Sequence, residues 1–248
     1  MIPLHGRINC SVCFNGSSTW GESISEDEGW RLENNPCAWG SATPKVLILG
    51  FSKGYNQTTN LTSRDFNDIP FSGWRDRLDL ALRKVGVLPE FLSVNEKISD
   101  SERNFAFGSL IRCSISKYNN KSGKYEKTGN NIISSTFRNR FAGNIACNCV
   151  RKFLTDLPDS LKLVVLLGND SNYMEYLKEL IGEFYPNLQS INEVAYKTNN
   201  LFFVHITHPS PGNGHFFSWL NSQEGVQAHK RELAIEAVRV SGILESLN

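Results

Sequence analysis

The chain has 248 residues, of which 40% are hydrophobic and 21% charged, and its formal net charge is +1. This composition is typical of one sizeable globular α/β domain, or of such a domain with appendages, and the near-neutral charge gives no overall field that would attract nucleic acid. No apolar run is long enough to span a bilayer and the segment MIPLHGRINC has no apolar signal core, so we expect a cytoplasmic protein without a membrane partner.

Charge is unevenly distributed along the chain. Residues 17–35 hold five acidic side chains against one arginine, and residues 114–141 hold six basic side chains against one glutamate. The basic stretch also contains tyrosine and phenylalanine, and basic residues interleaved with aromatic rings can follow a nucleic-acid backbone and stack on bases. A pocket wall for a bulky substituent and a solvated surface loop are the alternative interpretations.

The first predicted elements lie between residues 44 and 115. PKVLILGFSKG (44–54) has the continuous apolar run of a buried strand that leads into a glycine-bounded loop. PFSGWRDRLDLALRKVGV (70–87) repeats apolar residues, beginning with Trp74, at helical spacing and stops at Gly86. NFAFGSLIRCSI (104–115) predicts a second strand, with Cys113 at its end.

The second half of the chain continues the alternation of strands and helices. Residues 116–138 are polar and too long for an ordinary connection, so we expect a loop or flap there that is either functional or disordered. Strands alternating with helices indicate an α/β protein whose mostly parallel sheet is covered on both faces and binds ligands at the carboxyl ends of its strands. The later elements are a helix (144–157), a buried strand (161–168), a helix (169–182), a strand (200–207) and a closing amphipathic helix (223–247).

The segment HITHPSPGNGHFF (205–217) follows the last predicted strand. Pro209 and Pro211 cannot continue a sheet or a helix, so the strand must end at His208. The two glycines that follow permit backbone turns closed to other residues. The result is a stiff corner that holds one imidazole at a strand's carboxyl end, where we expect chemistry. A proline-rich turn beside a solvated histidine is the alternative.

Six cysteines in a reducing compartment point to metal binding or reactivity before disulfides. Cys10-Ser-Val-Cys13 is a pair at metal-ligand spacing, and Cys113 with a later cysteine would complete a set of four thiolates. Cys149 is the preferred fourth ligand and Cys147 the fallback. The spacing leaves iron–sulfur and zinc both open, and small buried hydrophobic residues are the alternative interpretation of these thiols.

Together these segments resemble the uracil-DNA glycosylase superfamily, most closely its iron–sulfur, family-four-like branch. The matching segments are the Cys10–Cys13 pair, VLILGFSKG, PFSGWRDRLDLALRKVGV, SLIRC with the next cysteine helix, LKLVVLLG and FFVHITHPSP. The resemblance implies one domain (1–248), with insertions at about 14–42 and 114–141, folded as a three-layer α/β/α sandwich around a short, mostly parallel sheet. It also implies a [4Fe–4S] cluster, with zinc as the alternative, on Cys10, Cys13, Cys113 and Cys149.

The resemblance further implies hydrolysis of an N-glycosidic bond after a nucleotide has been flipped out of the DNA helix. His208 would stabilise the negative charge of the departing base, and Phe71 would stack on that base. Phe216 or Phe217 would fill the gap in the helix, with burial in the core as the alternative. The residues that would grip the flanking phosphates are Ser210, Gly212 and Asn213.

Departures from the family pattern concentrate in the pocket. Phe51 stands where the family has its catalytic glutamate, and Ser52 and Lys53 replace the Ala-Pro that follows. Ser109 replaces the asparagine that reads the pairing edge of uracil, and its short hydroxyl leaves more room. We therefore expect Phe51, Ser52 and Ser109 to contact an altered base. Lys53 is expected to bind a DNA phosphate or to attack the sugar as an amine, with an ordinary exposed lysine as the alternative.

A catalytic carboxylate must then come from elsewhere, to stabilise the sugar cation or to orient water. Three aspartates flank the Phe71 segment. We favour Asp68, then Asp65, and expect Asp76 to face solvent. A turn residue or a helix cap is the alternative role for each.

Three functions are compatible with these observations. The first is a monofunctional DNA glycosylase acting on a modified pyrimidine, such as a phage-type modified cytosine, with a role in antiphage defence. The second is a repair glycosylase for uracil or another deaminated base. The third is a catalytically silent module that binds DNA or RNA. DNA is the expected partner, and no protein partner is indicated.

Overall fold

The computed structural model describes residues 1–127 and 130–247. No helix in these ranges combines the length and apolarity needed to cross a bilayer. The strands are β1 (Gly6–Arg7), β2 (Ile24–Asp27), β3 (Trp30–Glu33), β4 (Cys37–Gly40), β5 (Val46–Gly50), β6 (Phe105–Ser109), β7 (Ser114–Asn119), β8 (Lys124–Glu126), β9 (Leu163–Leu167), β10 (Gln189–Asn192), β11 (Ala195–Thr198) and β12 (Leu201–Ile206). The helices are α1 (Tyr55–Asn60), α2 (Arg75–Lys84), α3 (Val94–Lys97), α4 (Asn130–Thr136), α5 (Arg140–Phe153), α6 (Ser171–Gly182), α7 (Phe216–Asn221), α8 (Val226–Val240) and α9 (Ile243–Leu247), with a 3-10 turn at Phe66–Asp68.

Eight strands form a mixed central sheet in the order β1-β4-β6-β5-β9-β12-β11-β10. The four middle strands, from β6 to β12, are parallel to one another. Antiparallel pairs extend the sheet on both sides. The predicted α/β class is therefore confirmed, although the sheet is wider and more mixed than the sequence indicated. The carboxyl ends of the parallel strands lie side by side along one edge.

Two apolar layers cover the two faces of this sheet, because successive side chains of a strand point to opposite faces. Val46 and Ile48 of β5 pack with α2, α7 and α8. Leu47 and Leu49 of the same strand pack with α5 and α6. The chain is thus a three-layer α/β/α sandwich. We call the first layer the α2/α8 face and the second the α5/α6 face.

The helix predicted over residues 70–87 is shorter than its apolar pattern. It begins only at Arg75, because the preceding residues form a tight turn in which Phe71 has φ +57° and Gly73 has φ +83°. Left-handed backbone is unusual for phenylalanine and ordinary for glycine. Trp74 consequently lies before the first residue of the helix. Helical periodicity therefore does not predict where its side chain points.

Segments from both predicted insertions pair with each other in a second, antiparallel sheet, β2-β3-β7-β8. This pairing divides the strand predicted over 104–115, because β6 ends at Ser109 and β7 begins in the second sheet. Cys113 therefore lies in the connection between the sheets. The segment 116–138, predicted as a loop or flap, contains most of β7, β8 and α4, apart from residues 128–129, which lie outside the described ranges.

The two oppositely charged segments meet at this second sheet. Lys127 Nζ lies 2.6 Å from a carboxylate oxygen of Glu33. Asn139 Nδ2 donates to a carboxylate oxygen of Glu28 over 3.0 Å. Part of the basic stretch is thus neutralised within the chain, which reduces the charge it can offer to a nucleic acid.

Candidate active site

The carboxyl edge of the parallel strands gathers three of the predicted site residues. Gly50 of β5 is in register with Ser109 of β6, and β12 ends two residues before His208. Ser109 has the same strand parity as Phe107, whose ring centroid lies 5.9 Å from that of Phe71. Ser109, Phe71 and His208 therefore share the α2/α8 face.

His208 is held as a neutral ring with a defined tautomer. The backbone N–H of Ser210 donates to Nδ1 over 3.1 Å, so the neutral imidazole carries its proton on Nε2. Burial, together with the smaller effect of the positive charge of Arg77, lowers the pKa of His208 to about 4. At neutral pH the side chain therefore presents one N–H donor and no net charge.

Trp74 lies between the two predicted residues Phe71 and His208. Its ring centroid is 5.1 Å from that of Phe71 and 5.3 Å from that of His208. Phe71 is only 3% exposed, so the indole is the aromatic surface beside the histidine. Sequence reasoning missed this role because it counted Trp74 in the helical stripe, and the adjacent Ser-Gly pair was the available signal of a turn.

The positive charge of Arg77, a residue that the sequence did not indicate, acts on His208 and lowers its pKa. Its guanidinium carbon lies 4.1 Å from the ring centroid of Phe216 and 5.1 Å from that of Phe217. Nε and Nη2 are buried and have no hydrogen-bond partner among the described residues. Unpaired donors beside a neutral imidazole form a favourable position for an anionic or carbonyl oxygen.

The loop after His208 is tied to the strand by Asn213. Its Nδ2 donates to Thr207 Oγ1 over 3.0 Å and to the carbonyl of His208 over 2.7 Å. Its Oδ1 accepts from the N–H of His215. This corrects the expectation that Asn213 grips a phosphate, because both ends of its amide are used inside the loop. Gly212 lies at the exposed tip.

The Ser210 N–H, predicted as a phosphate donor, is likewise used by His208. The two aromatic residues that follow the loop diverge. Phe216 is fully buried in the core, whereas Phe217 is 59% exposed beside Arg77. Only Phe217 is therefore placed to meet a ligand.

The predicted catalytic carboxylates lie outside the cluster formed by His208, Trp74 and Arg77. Asp65 caps the 3-10 turn, where its Oδ1 accepts from the N–H of Asn67 over 2.9 Å. Asp68 is exposed, and its charge acts on Arg75. Asp76 is exposed, as expected. Within the described ranges, none of the three forms a hydrogen bond or ion pair with His208.

The loop after β5 departs from its predicted role. Phe51 follows the parity of Leu49 and lies on the α5/α6 face, where its ring centroid is 5.8 Å from Phe137 and 5.9 Å from Tyr173. The prediction that Phe51 contacts the base is therefore wrong for this conformation, since its side chain lies on the opposite face from His208. Ser52 is partly exposed at the same edge.

The prediction that Lys53 binds a DNA phosphate or attacks the sugar is also wrong for this conformation. Its side chain is only 1% exposed, and Nζ donates to the carbonyl of Arg112. Burial lowers the pKa of this amine. Lys53 therefore belongs to the interior of the α5/α6 face.

The four predicted metal ligands come together on the α5/α6 side. One pocket is lined by Cys10, Cys13, Cys113 and Cys149, which come from the N-terminal segment, the β6–β7 connection and α5. Cys147 is not among the residues lining this pocket and accepts from Arg151 Nη2 over 3.8 Å. Burial raises the pKa of Cys113 to about 12, with the Lys53 charge acting in the opposite direction.

A set of four thiols in one pocket has the donor chemistry of an iron–sulfur cluster or a tetrathiolate zinc site. Within the described residues, however, no three His, Cys, Asp or Glu side chains form a group arranged to hold a single metal ion. Asn148 Nδ2 donates to Cys13 Sγ over 3.6 Å. The four thiols are therefore donors of the right type and number for a metal–thiolate centre. Their positions would still have to change for them to bind it.

These features define an α/β protein with a candidate active site around His208 at the carboxyl edge of its parallel strands. No protein-family model matches the chain, and no curated protein matches it. Among solved structures it is similar to wild-type SMUG2 from Pedobacter heparinus, at 14% sequence identity and a TM-score of 0.43, with 91% of this chain and 93% of that chain covered. Function must therefore be argued from the site itself.

Proposed function

We propose that the chain is a monofunctional DNA glycosylase that takes up a flipped nucleotide at His208 and hydrolyses its N-glycosidic bond, leaving an abasic site. The observation that carries this proposal is the fixed, neutral imidazole at the edge of the parallel strands, with its Nε2 proton free to donate. A donor held in this way stabilises negative charge that develops in a transition state without reorganising during the reaction.

In the proposed reaction, the bond between the sugar C1′ and the base nitrogen breaks, and its electron pair leaves with the base. His208 Nε2–H donates to a carbonyl oxygen of the base, where that negative charge accumulates. Water adds its oxygen to C1′ and loses a proton to a carboxylate or to solvent, and the base is finally protonated. Each step uses only groups of the chain, the substrate and water.

Arg77 and Trp74 supply the surroundings that this chemistry requires. The positive charge of Arg77, whose buried Nε and Nη2 have no hydrogen-bond partner among the described residues, favours negative charge on the departing base near His208. The Trp74 indole, packed on Phe71, offers an aromatic surface on which a flipped base can stack.

Asp68 is the carboxylate that we propose for orienting water. Asp65 is already engaged as a cap, whereas Asp68 is exposed on the segment that leads into the Phe71 turn. This role requires Asp68 to approach the sugar when DNA binds. A proposal of this kind is tested by Asp68→Asn, with Asp65→Asn as the matched control.

The proposed substrate is a modified pyrimidine, such as a phage-type modified cytosine, and the proposed setting is antiphage defence in the cytoplasm. Ser109, the last residue of β6, supports this choice because its hydroxyl is smaller than the asparagine amide that it replaces in the family pattern. The DNA contacts that we propose are the exposed tip at Gly212, the Ser210 hydroxyl and the exposed ring of Phe217, which would fill the gap left by the flipped nucleotide.

We further propose that Cys10, Cys13, Cys113 and Cys149 hold a [4Fe–4S] cluster. When bound, such a group would act structurally, joining the N-terminal segment to α5 and to the β6–β7 connection. Protein purified without oxygen should be brown, and Cys10→Ala should remove the colour. Zinc without iron would reject the iron–sulfur assignment.

A catalytically silent module that binds nucleic acid is the second candidate. It is favoured by one observation, namely that no carboxylate in the described ranges bonds to His208. Such a module would bind DNA and release no base.

The experiment that separates these functions measures base release. Purified protein is incubated with matched DNAs that contain uracil, cytosine, hydroxymethylcytosine or glucosylated hydroxymethylcytosine, and abasic sites are then cleaved with alkali. Cleavage confined to modified-cytosine DNA is the expected result. Cleavage confined to uracil DNA indicates ordinary repair, and binding without cleavage of any DNA indicates the silent module.

A further inference from the structure

Two cationic side chains are fully buried on the α5/α6 side and have no carboxylate partner in the described part of the chain. Lys53 and Arg112 are each 1% exposed. Lys53 Nζ donates to the Arg112 carbonyl, whereas Nε, Nη1 and Nη2 of Arg112 have no hydrogen-bond partner among the described residues. Burying an unpaired charge costs far more free energy than burying a neutral polar group. Arginine keeps its charge when it is buried.

The chain makes specific room for the Arg112 side chain. The guanidinium lies directly over Gly108 of β6, where any Cβ would collide with it. Its carbon is 5.5 Å from the ring centroid of Phe153, a contact that compensates only part of the lost hydration. A glycine in the middle of a buried strand and an aromatic wall both indicate that this charge is held in position.

The groups that face the two cations are thiols. Cys149 and Cys37 act electrostatically on Arg112, and the same two together with Cys113 act on Lys53, where the like charge of Arg112 opposes them. Arg112 also lines the pocket formed by Cys10, Cys13, Cys113 and Cys149. The nearest chemistry able to supply negative charge is therefore a set of thiolates.

We propose that Arg112, assisted by Lys53, is the counter-charge of an anionic metal–thiolate centre at these four cysteines. Four thiolates around a dicationic cluster or zinc ion carry a net charge of about −2, which two buried cations balance. Arg112 is thus a positioning residue that retains the metal centre. This inference rests on the proposed metal centre and is independent of base release.

Metal retention tests the proposal directly. Protein is purified without oxygen, and the rate of iron release to an excess of chelator is measured for the wild type, Arg112→Gln and Arg112→Lys. The Gln variant should release iron about tenfold faster, a size typical of lost outer-shell contacts, and the Lys variant should stay near the wild type. Arg231→Gln is the control, because Arg231 is also buried, at 4% exposed, but bonds to backbone carbonyls at the end of α7 and pairs with Glu232.

Thermal stability, measured with and without metal, distinguishes a counter-charge from an arginine with a merely structural role. With metal bound, Arg112→Gln should lower Tm. Without metal, the same substitution removes an uncompensated buried charge and should raise Tm. Equal shifts in both forms, or equal iron release by wild type and Arg112→Gln, would overturn the proposal.

The outcomes also separate this inference from the proposed function. Metal-loaded wild type that releases no base, with Arg112→Gln still losing metal faster, rejects the glycosylase and supports the counter-charge. Wild-type protein that purifies with neither iron nor zinc and takes up neither rejects the counter-charge, whatever the base-release result.

Discussion

The indole of Trp74 and the imidazole of His208 lie with their ring centroids 5.3 Å apart and their planes at 44°. This contact joins the turn before α2 to the end of β12, which are separated by more than half of the chain. Phe71 also packs against the indole, and the Ser210 N–H bonds to the histidine, so the imidazole is supported by an aromatic neighbour and by a hydrogen bond. Both supports fix the direction of the Nε2 proton.

The rate of base release should be independent of pH between about 6 and 8. Burial lowers the pKa of His208 from 6.5 to about 4, so the ring stays neutral throughout this range. Single-turnover rates on the preferred DNA at several pH values check this. An inflection near pH 6.5 that disappears in His208→Gln would show that the histidine titrates as an exposed one.

Arg77→Met should reduce the single-turnover rate roughly tenfold, which corresponds to about 1.4 kcal/mol of transition-state stabilisation. The reason is the loss of a positive charge beside the leaving base. Arg77→Lys, which keeps the charge, is the control and should lose less. If both variants react at the wild-type rate and melt at a lower temperature, Arg77 serves only to pack against Phe216.

Stability should fall as the pH is lowered from 6.5 towards 4, and His205 should account for much of the fall. His205 is 1% exposed, its Nδ1 is 2.9 Å from the carbonyl of Gly168, and burial lowers its pKa to about 4. The unfolded chain binds a proton below pH 6.5 while the folded chain does not, so His205 should remove about 2 kcal/mol of stability by pH 5.

Urea unfolding of the wild type and His205→Gln at pH 7 and pH 5 measures this effect. The variant should show the smaller loss between the two pH values. Identical losses in the two proteins would contradict the assignment of a neutral buried ring to His205.

Gly108→Ala should destabilise the protein by about 1–3 kcal/mol, since the new methyl group meets the Arg112 guanidinium. Removing that side chain should remove the collision. The Gly108→Ala change should therefore be less destabilising in an Arg112→Ala background than in the wild type. Additive effects in this double-mutant cycle would show that the two residues do not constrain each other.

The strands and helices that contain long apolar or periodic runs were predicted well from the sequence. The strands at 46–50, 163–167 and 201–206 and the helices around 140–153 and 171–182 follow directly from continuous burial or helical periodicity. The end of β12 at Ile206, just before His208, follows from the two prolines. These signals are local, so they are readable without knowledge of tertiary contacts.

Residues whose position depends on distant contacts were predicted poorly. Phe51 and Lys53 lie beyond the last residue of β5, where strand parity and burial, not proximity in sequence to a pocket motif, decide their side. Trp74 was displaced by a left-handed turn at Phe71. The pairing of β3 with β7 joins segments that are about 80 residues apart, and neither has a long apolar run.

The most direct test of the central claim is detection of free base released from DNA by the wild type and by His208→Ala, with DNA binding measured on the same preparations. We predict that the wild type releases a modified pyrimidine and that His208→Ala binds the same DNA but releases the base at least about 100-fold more slowly. Equal release by the two proteins would contradict the assignment of catalysis to His208, and no release by either would contradict the proposed glycosylase.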